Sequence, residues 1–268
     1  MIKRLKQIIS NRFSVRDDYM AHSRQEWKRL YNLYKGRSGF VIGNGPSLKM
    51  EDLTAIKDEI SIASNKIFLA YDQTPFHPTL LTAIDAIVVE NIVDDLRKLP
   101  GRKYLADSLK QIVEPMPGAI YWTAQSGSLG RDRMDRKFSP DAGKCIYAGH
   151  TVTYNNLQIA YHLGLTKVYL IGMDFSFSIP EKRQSHEYAE ALVSNGEQNH
   201  FHPEYRKPGE IWSMPDLERQ EGAFLSAKAY FESNGREILN ATRGGKLEVF
   251  QRVDLDEVIE KLKRKTNN

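Results

Sequence analysis

The sequence predicts an α/β fold: a Rossmann-like, mostly parallel sheet with helices on both faces, plus a lid segment. Three observations predict it. From Gly39 onward, short apolar runs alternate with stretches of helical periodicity, the pattern of strand–helix–strand crossover units. The run Val168-Tyr169-Leu170-Ile171 is almost continuously apolar, as a central strand covered on both faces requires. And Asn44, Asn65, Asp85 and Asp174 each stand at the end of an expected strand, where open parallel sheets bind their ligands.

The elements follow in order. The first strand, residues 40–42, runs into Gly43-Asn44-Gly45-Pro46-Ser47-Leu48 and then a helical pattern over residues 48–57. Gly43 and Gly45 are expected to take backbone angles that a Cβ forbids, bringing the chain close to a ligand. Pro46 and Ser47 suit a helix start, and a helix N-terminus attracts phosphate. A dinucleotide fingerprint would need a third Gly where Leu48 stands, and no Gly-Lys-Ser/Thr follows for a P-loop. Strands are expected at residues 60–64, 80–85, 103–105, 119–122 and 144–147. Helices are expected at 86–99 and 153–163, the latter closed by Gly164. The strand at 167–171 ends in Gly172-Met173-Asp174. Residues 175–215 lack clear periodicity and read as a lid. A helix at 216–234, a strand at 237–242, a Gly244-Gly245 turn into residues 246–250 and a charged helix at 254–265 complete the chain. The division expected is a basic helical leader, 1–38, and a nucleotide-binding α/β domain, 39–268.

Charge separates the same two parts. The net charge is +4, yet residues 1–37 hold ten Lys/Arg against three Asp/Glu, a net of +7, which leaves −3 for the rest. A basic leader on a mildly acidic body excludes a nucleic-acid-binding domain, whose folded part would carry the basic face. Ile2, Leu5, Ile8, Ile9 and Phe13 share one helical face, and Trp27, Leu30, Tyr31 and Tyr34 repeat the spacing. The leader is expected to pack on the body or on a second subunit in a homo-oligomer. The competing expectation is peripheral contact with an anionic membrane. No apolar run approaches the ~20 residues of a membrane span, no signal-peptide pattern opens the chain, and the single Cys145 fits a reducing compartment. The expected location is cytoplasmic, with peripheral attachment at the inner membrane face in the second case.

The chemistry-bearing residues cluster in the lid. In Asn199-His200-Phe201-His202-Pro203-Glu204-Tyr205-Arg206 the two His stand at i, i+2 and point to opposite sides of an extended segment. They do not suit one metal ion, and a His near pKa 6.5 suits a general base. Asp174 could bind a ribose or a metal, or cap a turn. The one Asp-x-Asp, Asp254-Leu255-Asp256, opens the last helix, where acidic residues favour the dipole. Neither a metal nor another cofactor is expected.

Several of these motifs, in this order, resemble bacterial sialyltransferases of glycosyltransferase family 42. Gly43-Asn44-Gly45-Pro46-Ser47-Leu48 is similar to their opening motif. Ser64-Asn65-Lys66-Ile67-Phe68 looks like their Cys-Asn-Gln-Phe element, and Ala160 to Gly164 with Val168 to Phe175 like their Ala-Leu-Gly and Ile-Tyr-Leu-Ser-Gly-Ile-Asp-Phe segments. A broader group is a closer match. Its pattern includes Gly-His-Thr-Val-Thr, Asn-His-Phe-His-Pro-Glu-Tyr and Asn-Ala-Thr-Arg-Gly-Gly-Lys-Leu-Glu-Val-Phe. That group includes motility accessory factors and 6-hydroxymethylpterin diphosphokinases. The resemblance covers roughly residues 39–250 and implies a GT-A-like sialyltransferase variant.

It further implies a CMP-linked nonulosonate donor, a glycan or protein acceptor, and inverting, metal-independent transfer. Gly43, Asn44, Gly45, Pro46, Ser47, Asn65, Asp85, Gly172 and Asp174 would bind the nucleotide donor, with Thr151 and Thr153 near its phosphate or sugar. His202, or His200, would be the base. The family's leaving-group tyrosines are replaced by Phe175-Ser176-Phe177-Ser178, and Tyr188, Tyr205, Arg206, Lys182 or Arg183 could substitute for them. The alternatives are an ATP- and magnesium-dependent diphosphokinase, with Asp85, Glu90 or Asp174 at the metal, and an inactive nucleotide-binding subunit.

Overall fold

A computed structural model describes residues 20–128, 136–186 and 190–266. Its centre is an eight-stranded sheet in which every pairing is parallel. The strands are β1 (Ser38–Ile42), β2 (Ser61–Ser64), β3 (Leu80–Ala83), β4 (Lys103–Ala106), β5 (Ala119–Trp122), β8 (Lys167–Ile171), β12 (Glu237–Asn240) and β13 (Gln251–Arg252). A two-stranded pair, β6 (Ala124–Gln125) and β7 (Ile146–Tyr147), stands apart from it. β2 to β5 are buried at every position. That is possible only for strands covered on both faces.

The helices are α1 (residues 20–30), α2 (Met50–Ala55), α3 (Ala86–Lys98), α4 (Lys110–Val113), α5 (Val152–His162), α6 (Leu217–Ser233) and α7 (Leu255–Thr266). Ten of the eleven residues of α5 are buried, Asn155, Asn156 and Gln158 among them. Their amides are used as connectors. Gln158 receives N–H groups from Ser139 and Tyr147, and Asn156 accepts from the Thr82 hydroxyl at 2.7 Å.

Residues 20–37 pack into this body. Trp27 is 1 % exposed and Leu30 2 %. The Trp27 indole donates to Tyr121 O at 2.9 Å and meets Tyr104 and Trp122 edge-on. His162 fixes the other side: its Nδ1 accepts from Ala142 N–H and its Nε2 donates to Trp27 O at 2.8 Å. Residues 1–19, which carry the leader's first apolar face, lie outside the described residues.

Two local expectations are corrected. The helix after β1 begins at Met50, behind a turn, with Lys49 at its N-cap and Glu51 and Asp52 in its first turn. Pro46 and Ser47 do not open it, and its short, acidic start does not suit phosphate. The segment 175–215 is also not structureless. It contains an antiparallel sheet of β9 (Arg183–Ser185), β10 (Glu190–Val193) and β11 (Ile211–Ser213). β9 is exposed throughout, so it carries no apolar alternation by which to read it.

Candidate functional site

The strand order locates the crevice. From β1 the sheet grows through β2 to β5 on one side and through β8, β12 and β13 on the other. The loops leaving β1 and β8 therefore diverge at a topological switch point, where open α/β sheets bind ligands.

The glycines there have a different purpose from the one the sequence predicts. Neither Gly43 nor Gly45 has a positive φ. A Cβ on Gly43 would run into Gly172 O and Met173 Sδ, and one on Gly45 into the Asp174 carboxylate. They are glycines because two loops touch. Gly45 N–H donates to Gly172 O at 2.9 Å. Asp174 Oδ2 accepts from the Ser47 hydroxyl at 2.7 Å and the Ser47 N–H at 3.3 Å. From behind, Thr242 Oγ1 accepts from Met173 N–H at 3.1 Å and Lys246 N–H donates to Asp174 O.

Above this junction lies a pocket lined by Gly43, Asn44, Gly45, Asn65, Thr151 to Thr153, Gly172 to Phe177, Asn199, His200, Tyr205 and Gln220. Thr151 caps the N-terminus of α5 by accepting from Thr153 N–H, so an eleven-residue helix points its positive end into the pocket. Asn44 Nδ2 donates to Ser64 O at 3.1 Å, which ties the ends of β1 and β2 together. Asn65 holds a left-handed backbone at φ 55°, which Asn tolerates better than most residues. The Oδ1 atoms of Asn44 and Asn65 are buried and have no hydrogen-bond partner.

The lid closes the pocket through His200. Phe201 N–H donates to Asn44 O at 3.0 Å. Asn199 clamps Ser178, accepting from its N–H at 2.7 Å and donating to its O at 2.9 Å. The His200 ring stacks on Tyr205, and its Nδ1 is buried without a partner. Burial, with the Arg206 and Lys66 charges, holds the imidazole well below 6.5. Burial likewise pushes the Tyr205 phenol up to about 12, so it stays a proton donor. Beneath Tyr205 the buried Lys66 ammonium donates to Tyr205 O at 2.7 Å and pairs with Glu210.

The structure thus brings Asn44, Asn65, Thr151, Thr153, Gly172, Asp174, His200 and Tyr205 to one pocket. Other sequence-predicted residues stand apart from its lining. His202 caps a 3-10 turn, its Nδ1 accepting from Glu204 N–H. Asp85 caps α3 through Val88 N–H and accepts from the Ser213 hydroxyl at 2.7 Å. Arg206 is buried behind Tyr205, 4.2 Å from the Trp212 ring centroid. Pro46 is exposed, and Arg183 lies on β9. Tyr188 lies outside the described residues. Lys66 and Asn199 lie in the motifs that carry the family resemblance, but no role was expected of them. Among the described residues no three His, Cys, Asp or Glu gather as a metal site. A larger cavity, about 780 Å³, opens between α2 and α7. It lies away from the carboxyl ends of the strands, and none of its lining residues has an unpartnered buried polar atom, so the smaller pocket is the candidate site.

Comparison with known proteins gives the chain's family. The family model described as 6-hydroxymethylpterin diphosphokinase MptE-like matches residues 17–180. The chain belongs to the MptE-like family. The matched region runs from α1 through β8 and includes every pocket residue up to Asp174. No curated protein matches the chain. Among solved structures, this MptE-like chain is similar to the MAf glycosyltransferase from Magnetospirillum magneticum AMB-1, with a TM-score of 0.48 and 15% identity over 89% of this chain. The chain spans 38% of that protein's length. Among the described residues no helix is long and apolar enough to cross a membrane.

Proposed function

We propose that this MptE-like chain is an inverting glycosyltransferase that takes an acidic nonulosonate sugar from a CMP-linked donor, without a metal ion, and delivers it to a glycan or protein hydroxyl. One observation carries the reading. Three buried polar atoms without partners, Asn44 Oδ1, Asn65 Oδ1 and His200 Nδ1, belong to one pocket that also receives the N-terminus of α5. Unpaired buried acceptors are costly, and a ligand with donors and a phosphate satisfies all of them together. The Asn amides suit the nucleotide, and the α5 N-terminus suits its phosphate.

His200 is the base in this account. Neutral at physiological pH, it presents a free acceptor, and the donor phosphate raises its proton affinity once bound. The acceptor hydroxyl gives its proton to His200 Nδ1 as its oxygen bonds to the anomeric carbon. The bond from that carbon to the phosphate breaks, and its electron pair leaves with CMP. The Tyr205 hydroxyl, with the Arg206 charge behind it, stabilises the departing phosphate. His202 positions the turn that holds Tyr205. The pocket measures about 150 Å³, smaller than the ~300 Å³ of small-molecule sites, and in this account the lid opens to admit the donor.

A second reading, an ATP- and magnesium-dependent diphosphokinase of the pterin type, is favoured by the family match. The carboxylates it would use are already engaged: Asp85 with α3 and Ser213, Asp174 with Ser47, Glu90 with His186. Incubation with CMP-N-acetylneuraminate tests the choice. Release of CMP, lost in Asn44→Ala and in His200→Ala, is expected. Magnesium-dependent formation of AMP from ATP and a hydroxymethylpterin, with no CMP released from the sugar donor, would establish the kinase.

A further inference from the structure

We propose that the surface formed by residues 20–37 docks on an anionic lipid membrane, at the end of the sheet opposite the candidate site. α1 buries Ser23, Glu26, Trp27 and Leu30 against the body and leaves Arg24 and Lys28 exposed on the other face. The turn that follows exposes Tyr31 (55 %), Leu33 (45 %), Lys35 and Arg37. Tyr31 and Leu33 are two of four large exposed hydrophobics among the described residues; the others, Ile179 and Leu225, lie on other segments.

The backbone fixes where this surface faces. Asn32, Tyr34 and Gly36 donate their N–H groups to His162 O, Leu163 O and Gly164 O at the end of α5, and Arg37 leads into the start of β1. The pocket lies at the other ends of the same two elements. Bound through residues 20–37, the protein would hold its site away from the bilayer, toward the aqueous phase.

The exposed charge here is positive. The segment's one acidic residue, Glu26, is buried and held by Arg29, Tyr104 and Arg102. The acidic groups at the same end of the sheet are half-buried Glu59, which feels the Arg37 charge, exposed Asp58 beside it, and Glu237, which pairs with Lys167, so the basic side chains of residues 20–37 outnumber them. Cations alone would suit any polyanion. Cations interleaved with an exposed Tyr and Leu suit a headgroup layer, where the cations meet lipid phosphate and the apolar tips enter the acyl boundary. Leu33 would gain nothing from a nucleic-acid phosphate backbone.

The full chain is tested by co-sedimentation with mixed phosphatidylglycerol–phosphatidylcholine vesicles at low salt, against phosphatidylcholine alone. Binding to the mixed vesicles is expected, falling as salt rises. Each basic residue near an anionic surface is worth roughly fivefold in partitioning, so Arg24→Glu with Lys28→Glu should lower it by at least about thirtyfold. Tyr31→Ser with Leu33→Ser should weaken binding while keeping its salt dependence. All four side chains are exposed, and thermal melts confirm that the variants fold. Equal sedimentation with neutral vesicles, or none with the mixed ones, overturns the proposal. So does unchanged binding by the charge-reversed variant, which would assign the contact to residues 1–19, or tighter binding to single-stranded RNA than to the mixed vesicles.

Discussion

The His200 imidazole lies flat on the Tyr205 ring, 3.8 Å between centroids and 5° from parallel. The stack holds one histidine of the lid pair over the pocket while the other turns back to cap its own backbone. His200→Ala should therefore lower turnover by about 10² to 10⁴, the usual range for an acid–base group. His202→Ala should act on stability, by roughly 1 kcal/mol as for a lost cap, and leave the rate within a few-fold. Steady-state kinetics of the two variants, with melts alongside, separate the roles. Equal losses of turnover would contradict them.

The same stack makes a pH prediction. Burial and the neighbouring cations hold free-enzyme His200 well below 6.5. Since kcat/KM reports the free enzyme's ionisations, its acid limb should fall below pH 6.5, with a plateau through neutrality. An acid limb at or above 6.5 would exclude His200 as the base.

Stability should follow pH with the sign that buried neutral histidines give. His162, like His200, is depressed chiefly by burial. As pH falls, the unfolded chain takes up these protons first. The stabilisation is complete above about pH 6.5 and is lost below it, at up to ~1.4 kcal/mol per pH unit for each group. Melting temperatures should decline between pH 7 and 5.5, and less steeply in His162→Gln.

Lys66 and Glu210 form a buried pair beneath Tyr205. Lys66→Met leaves a carboxylate without its cation, a change that typically costs about 3 to 5 kcal/mol. Lys66→Met with Glu210→Met removes both charges and should recover most of that. A double variant no more stable than the single one would show that the ammonium matters through Tyr205 O instead.

Gly45→Ala tests the loop junction. The added methyl meets the Asp174 carboxylate, so Asp174 or the loop must move, at about 1 to 3 kcal/mol for an overpacked contact. Denaturant melts should show the loss, and nucleotide binding should weaken with it. A variant as stable as the parent would mean that Asp174 yields freely.

Much of the fold was legible because strands buried on both faces need apolar runs whatever their partners. β8 could be read from Val168 to Ile171, and of the four strand-end residues Asn44, Asn65 and Asp174 line the crevice, while Asp85 caps α3 instead. The order of strands could not be read, since one apolar run does not name its neighbour. Nor could the purpose of Gly43 and Gly45, because Asp174, the group that forbids a side chain at Gly45, lies far along the chain. The lid sheet was hidden because β9, Arg183–Ser185, is exposed and has no apolar face. Whether His200 or His202 faces the pocket is decided by the Phe201–Asn44 hydrogen bond, a tertiary contact.

The central claim is that Asn44 and Asn65 receive a cytidine nucleotide without a metal ion. A thermal-shift series with CMP and with ATP, each with and without magnesium, tests it most directly. A ligand at ~100 times its dissociation constant adds about 2.7 kcal/mol to the folded state. The account predicts that upward shift with CMP in the absence of magnesium and its loss in a folded Asn44→Ala variant. A shift with ATP that requires magnesium, and none with CMP, would contradict it.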